Sequence, residues 1–167
     1  LHDPLRPLAA AVRGGLPTIG RVGLPRLRCH VEYSGFVVVR VHPVLVHRSN
    51  YHETTAVAEA LQTETNWNVM QDAKFIELNG EWYFRAIGNT NHASGFKPVR
   101  ELLEKLVVRA PGSYGLFYVN DDEDPVPELR DSYRVLVIRR GTIIESFDPF
   151  LSPMTPLVKD PFDINAP

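Results

Sequence analysis

The stretch DAKFIELNGEWYFRAIG (72–88) decides how this chain folds. Asn79-Gly80 suits a two-residue type I′ turn, because both residues tolerate positive φ. Such a turn pairs Leu78 with Glu81, Glu77 with Trp82 and Phe75 with Phe84. Phe75, Trp82, Phe84 and Ala86 then share one face, which is assigned to the core. Lys74, Ile76, Tyr83 and Arg85 share the other, where Lys74 and Arg85 oppose each other. Like charges directly opposed are unfavourable when dry, so that face is expected to be wet or to await a partner.

Working outward, GFVVVRV (35–41) reads as a buried strand, with Phe36 and Val38 on one side and Val37, Val39 and Val41 on the other. SNYHETTAVAEALQTETN follows as a helix with a capping-box-like start at Asn50 and Glu53. Its stripe of Val57, Ala60, Leu61 and Glu64 is thin, which suits packing at an edge. FKPVRELLEKLVVRAPG is the strongest helix. Pro98 stands where helices start, Val99, Leu102, Leu103, Leu106 and Val107 form a full stripe, and Pro111-Gly112 ends it. Strands are expected at 113–119, 131–138 and 142–148. The last two join at Arg140-Gly141, and because both faces of that hairpin are apolar it is expected to lie centrally. DPFLSPMTPLVKDPFDINAP (148–167) is rich in proline and is expected to run extended along the surface. The order β-α-β-β-α-β-β-β, dominated by hairpins, predicts an α+β two-layer domain. Its sheet is mostly antiparallel, with two helices on one face.

A chain of 167 residues with 44% hydrophobic and 23% charged content is ordinary for one globular domain. Cys29 is the only cysteine, which excludes an intrachain disulfide and a multi-cysteine zinc site. No apolar run reaches the length that spans a bilayer. Residues 1–30 differ from the rest: they are rich in Pro, Gly and Arg, without sustained periodicity, and are expected to form a disordered or loosely attached tail. Residues 161–167 are read as a C-terminal tail. Residues 1–28 carry five arginines against Asp3, so the net charge of −2 conceals an acidic body. That argues against nucleic acid as partner and suits a partner with a positive face.

Four adjacent acids, Asp121, Asp122, Glu123 and Asp124, follow the strand at 113–119. Three readings compete: a metal site, acid–base catalysis, or a docking patch, with a plain solvated loop beside them. The run lacks the glycine and ligand spacing of a calcium loop. His92 in GNTNHASG could act as a base with Asn89 and Asn91, or simply satisfy loop backbone. No nucleophile elbow, H-E-x-x-H or phosphate loop is present, and no metal or cofactor is expected.

Taken together, VEYSGFVVVR, LNGEWYFRAIGNTNHAS, APGSYGLFYVNDDED and GTIIESFDPFLSPMTPLVKD resemble the immunity protein 7 family of bacterial polymorphic-toxin systems. The resemblance spans about 130 residues, with the domain assigned to 31–160. It implies a non-enzymatic cytoplasmic protein that binds a cognate secreted toxin domain, expected to have a basic cleft, and occludes its active site. Binding away from that active site is a further possibility. Under this implication Asp121, Asp122, Glu123, Asp124, Asp148 and the DPFLSP loop would form the contact surface. Tyr83, Tyr114, Tyr118 and Phe150 are the candidate anchors. The alternative is a small metal-dependent hydrolase using Asp121, Asp122 and His92.

Overall fold

A computed structural model describes residues 30–43, 47–158, 160, 161 and 163. Residues 1–29 of the expected N-terminal tail, and most of the C-terminal one, therefore lie outside the described residues. Six strands form one antiparallel sheet: β1 (Val31–Val39), β2 (Asp72–Leu78), β3 (Glu81–Thr90), β4 (Tyr114–Asp121), β5 (Tyr133–Arg139) and β6 (Thr142–Phe147), in the spatial order β2-β3-β1-β4-β5-β6. Helix α1 (His47–Glu64) leads from β1 to β2 and α2 (Lys97–Arg109) from β3 to β4, while α3 (Met154–Leu157) is a single turn after β6. The α+β class and the antiparallel sheet agree with the sequence reading, whose order β-α-β-β-α-β-β-β lacks the one-turn α3.

The hairpin that anchored that reading has the predicted register, Phe75 opposite Phe84 and Leu78 opposite Glu81. Asn79 and Gly80 both take positive φ, 52° and 78°. Phe75, Phe84 and Ala86 are buried in the core, with Trp82 packed against it. From β1 the core takes Val31, Tyr33, Val37 and Val39, from β4 Phe117 and Val119, and from β5 Leu136 and Ile138. Both long helices cover this face. All five stripe residues predicted for α2 are buried. In α1 the buried residues are Thr54, Ala58 and Leu61, with Val57 beside them, while Glu64 is exposed. Glu64 instead makes a two-point ion pair with Arg109 at 2.8 Å, tying the C-termini of α1 and α2 together.

Gly35 and Gly115 also point to the core side, opposite Phe117 and Val37. A Cβ on Gly115 would stand 2.1 Å from the Phe36 carbonyl oxygen, and one on Gly35 would stand 2.3 Å from that of Leu116. Both glycines therefore let β1 and β4 approach backbone to backbone under the two larger side chains.

Three local expectations are corrected. Asn50 lies inside the first turn of α1, which begins at His47, and Glu53 reaches back to His42 Nε2 at 2.8 Å instead of capping. The β5–β6 hairpin is not central: β6 is an edge strand, mostly exposed. The proline-rich segment is not simply extended. Met154 N donates to the Asp131 carbonyl at 2.7 Å, the Asp131 carboxylate takes the Thr155 N–H and hydroxyl, and Ser152 Oγ accepts from Tyr133 N. Prolines keep the segment out of the ladder, but side-chain acceptors can still tie it down.

Two measurements check this architecture. Gly115→Ala is expected to lower unfolding free energy by about 1–3 kcal/mol through overpacking, read by chemical denaturation. Arg109 holds the Glu64 carboxyl below the usual glutamate range, by its hydrogen bond first. A depressed carboxylate contributes stability above its unfolded pKa and loses it as pH falls through the folded one. Arg109→Ala should therefore be less stable than wild type at neutral pH, and the gap should close in acid below the ordinary glutamate range.

Candidate functional site

Neither long helix covers the second face of the sheet, and the register sets what it displays. One row runs Lys74, Arg85, Phe36, Leu116, Val137 and Ile144 from edge to edge. A second runs Ile76, Tyr83, Val38, Tyr114, Arg139 and Thr142, and a third Asp72, Ile87, Ser34, Tyr118, Val135 and Ser146. Phe36 is 52% exposed, Tyr114 44%, and Leu116, Ile144 and Ile87 are exposed as well. Phe36, expected in a buried strand, sits on the solvent side of a strand whose other side is core. Ser34 is small between Ile87 and Tyr118. Beside it lies a hollow of about 470 Å³, lined in part by Glu32, Asp72, Asn89 and Tyr133.

Polar groups frame this face. Asp72 grips Arg85 at 3.0 Å, which relieves the Lys74–Arg85 opposition foreseen from the sequence, yet Arg85 Nε is buried without a hydrogen-bond partner. Arg40 pairs with Glu81 and lies 5.3 Å from the centre of the Tyr114 ring. Tyr83 donates to Glu81 at 3.1 Å, and this bond holds its phenol above the ordinary tyrosine pKa. Burial, then the nearby Glu32 carboxylate, does the same for Tyr133, whose ring meets Tyr118 edge-on.

The acids sit at the end of β4 and do different things. Asp121 Oδ1 accepts from Glu123 N at 3.0 Å, and Asp122 Oδ1 accepts from His30 N at 2.7 Å. Asp122 and Glu123 are exposed and Asp121 is half-buried. Asp124 is only 3% exposed. One of its oxygens accepts from Val126 N at 2.9 Å and the other faces Arg134 at 3.3 Å. Asp148 is 2% exposed and accepts from the Phe150 and Leu151 backbone N–H groups. Asp124 and Asp148 therefore shape loops, and neither offers a free carboxylate at the surface. The loop that Asp148 holds lifts Phe150 into solvent at 80% exposure.

His92 is exposed and starts a short turn through its backbone, accepting from Thr90 Oγ1 and Gly95 N. Among the described residues no group of three or more His, Cys, Asp or Glu could hold a metal ion. The hydrolase alternative, which needs Asp121, Asp122 and His92 around one ion, gains no support. The candidate anchors Tyr83, Tyr114 and Tyr118 all lie on this one face, whereas Phe150 stands on the loop after β6. The sequence reading missed Phe36, Ile87, Val137 and Ile144, whose signal was an apolar residue at both phases of the strand alternation.

The sequence model of the immunity protein 7 family matches residues 30–160. The chain belongs to the immunity protein 7 family. The match takes in all six strands and both long helices, and membership supports an immunity role. No curated protein and no solved structure matches the chain. Among the described residues, no helix of this family member is long and apolar enough to cross a membrane.

One structural prediction concerns the Phe150 loop. Asp148→Ala strips two part-buried N–H groups of their carboxylate acceptor and is expected to cost about 1–3 kcal/mol. Thermal unfolding reads the loss, and faster amide exchange at Phe150 and Leu151 locates it.

Proposed function

We propose that this chain neutralises a cognate secreted toxin in the cytoplasm by seating its open sheet face over the toxin's active site, without turnover of its own. The observation that carries the reading is the row Phe36–Leu116–Val137–Ile144, an apolar strip flanked by Tyr114 and Tyr118 on a face left bare by both helices. Contiguous exposed apolar surface marks an interaction site more often than chance, and family membership says what kind of partner to expect. Asp121, Asp122 and Glu123 would lie at the rim, where charge governs encounter rate and orientation more than residence time. A toxin cleft that handles phosphate is basic, and these acids suit it.

The test uses the toxin domain encoded beside this chain. Reversing Asp121, Asp122 and Glu123 to lysine should slow association by about tenfold or more at low salt, with the difference shrinking as salt rises. Tyr114→Ala and Phe36→Ala should leave association nearly intact and speed dissociation by about tenfold or more. Unchanged association of the lysine variant removes the acids from the interface. Unchanged dissociation of both apolar variants removes the face. A toxin that still accepts a substrate analogue within the complex would move the binding site away from its active site.

A further inference from the structure

The two edges of the sheet are protected unequally. An edge strand presents unpaired N–H and C=O groups, and chains usually guard it with charge, proline or a bulge. β2 carries Asp72, Lys74 and Glu77, and Glu77 is bound by the Tyr51 hydroxyl of α1 at 2.5 Å. β6 reads TIIESF. It has no lysine, no proline and no break in its register with β5. Its single charged residue, Glu145, is engaged by Arg100 of α2 and lies 4.0 Å from Arg134 of β5. The exposed backbone edge is thus left with no uncompensated charge.

We propose that β6 pairs antiparallel with β6 of a second copy of this chain, about a two-fold axis at Ile144. The two-residue turn at Arg140-Gly141 makes Arg139 and Thr142 the closing hydrogen-bonded pair. Alternate pairs follow, so Thr142, Ile144 and Ser146 bond inward to β5, while Ile143, Glu145 and Phe147 aim their backbone groups outward. An axis at Ile144 sets Ile143 of one copy against Glu145 of the other, an outward pair that exchanges hydrogen bonds. It also sets Thr142 against Ser146, and Ile144 against Ile144.

An axis at Glu145 would oppose two glutamates, which is unfavourable. An axis at Ile143 would pair only the first half of the strand. Of these three registers, only the one at Ile144 pairs Thr142 through Ser146 without setting Glu145 directly opposite its own copy, and a strip that complements itself is what a two-fold interface requires. It also joins the open-face rows of the two copies, Phe36 through Ile144, into one apolar strip.

A strand edge is a small interface, so reversible dimerisation with a dissociation constant on the order of 10–100 μM is expected. Sedimentation velocity of the full chain, from about 1 to 300 μM, reads it. Ile144→Lys should be monomeric throughout while keeping a wild-type circular dichroism spectrum. In a Cys29→Ser background, Ile144→Cys should oxidise to a disulfide dimer. Facing residues at a non-hydrogen-bonded pair stand about 4.5 Å apart at Cα, within disulfide reach. Ile143→Cys, facing Glu145, should cross-link far less. A chain monomeric at every concentration overturns the proposal, as does a dimer that survives Ile144→Lys and gives no Ile144→Cys cross-link.

Discussion

Everything in this fold hangs on β1. The β2–β3 hairpin and the β4–β5–β6 meander share no ladder; each pairs with β1 alone. Val37, with Val39, carries the core from one half to the other, and Gly35 and Gly115 let β1 and β4 close to backbone contact there. The two crossing helices, α1 from β1 to β2 and α2 from β3 to β4, lie over the same side. No long helix covers the opposite side of β1, where Phe36 stands exposed although Val38 is buried among its neighbours. The exposed face follows from the topology, because two helices are enough to cover one side of a six-stranded sheet.

The four-acid run shows how one charge cluster divides its labour. Four carboxylates in sequence repel, and the turn resolves the repulsion by taking Asp124 inside against Arg134 and using Asp121 to accept from its own loop. A buried carboxylate is tolerated because hydrogen bonds and a guanidinium replace its water. What remains outside is Asp122 and Glu123 with part of Asp121, a smaller charge than the sequence advertises but one held in a fixed geometry. Asp148 does the same for the loop that carries Phe150. In both places an internal acid positions a neighbour for the surface.

The local code was legible wherever a single residue pair determined geometry. Asn79-Gly80 set the register of a whole hairpin, and the five-residue stripe of α2 named its buried side without help. Apolar residues at both phases of the β5–β6 hairpin suggest burial on two sides; the register instead puts Ile144 on a face that no long helix covers. Asn50 and Glu53 have capping-box spacing, but that spacing alone does not fix a helix start, and α1 begins a turn earlier at His47. Nothing in the string DDED separates Asp124 from its neighbours. Its burial is caused by Arg134, ten residues on and brought close by the β4–β5 register, and that is a tertiary fact.

Face and edge meet at Ile144, which ends the apolar row and also lies at the proposed seam, while Phe36, Leu116 and Tyr114 stand on strands away from it. A two-fold axis between antiparallel edge strands runs perpendicular to the sheet, so both copies would present their open faces on the same side. Pairing at β6 uses backbone groups in the plane of the sheet and leaves the side chains of Phe36, Leu116 and Tyr114 free above it. A toxin seated on one copy would then approach, but not displace, the seam at Ile144. Two faces held side by side raise the local concentration of binding surface for any toxin that is itself paired, while a monomeric toxin would meet two equivalent seats. Apolar side chains that look like a solubility cost in the isolated chain become, in that arrangement, the continuous middle of one binding surface.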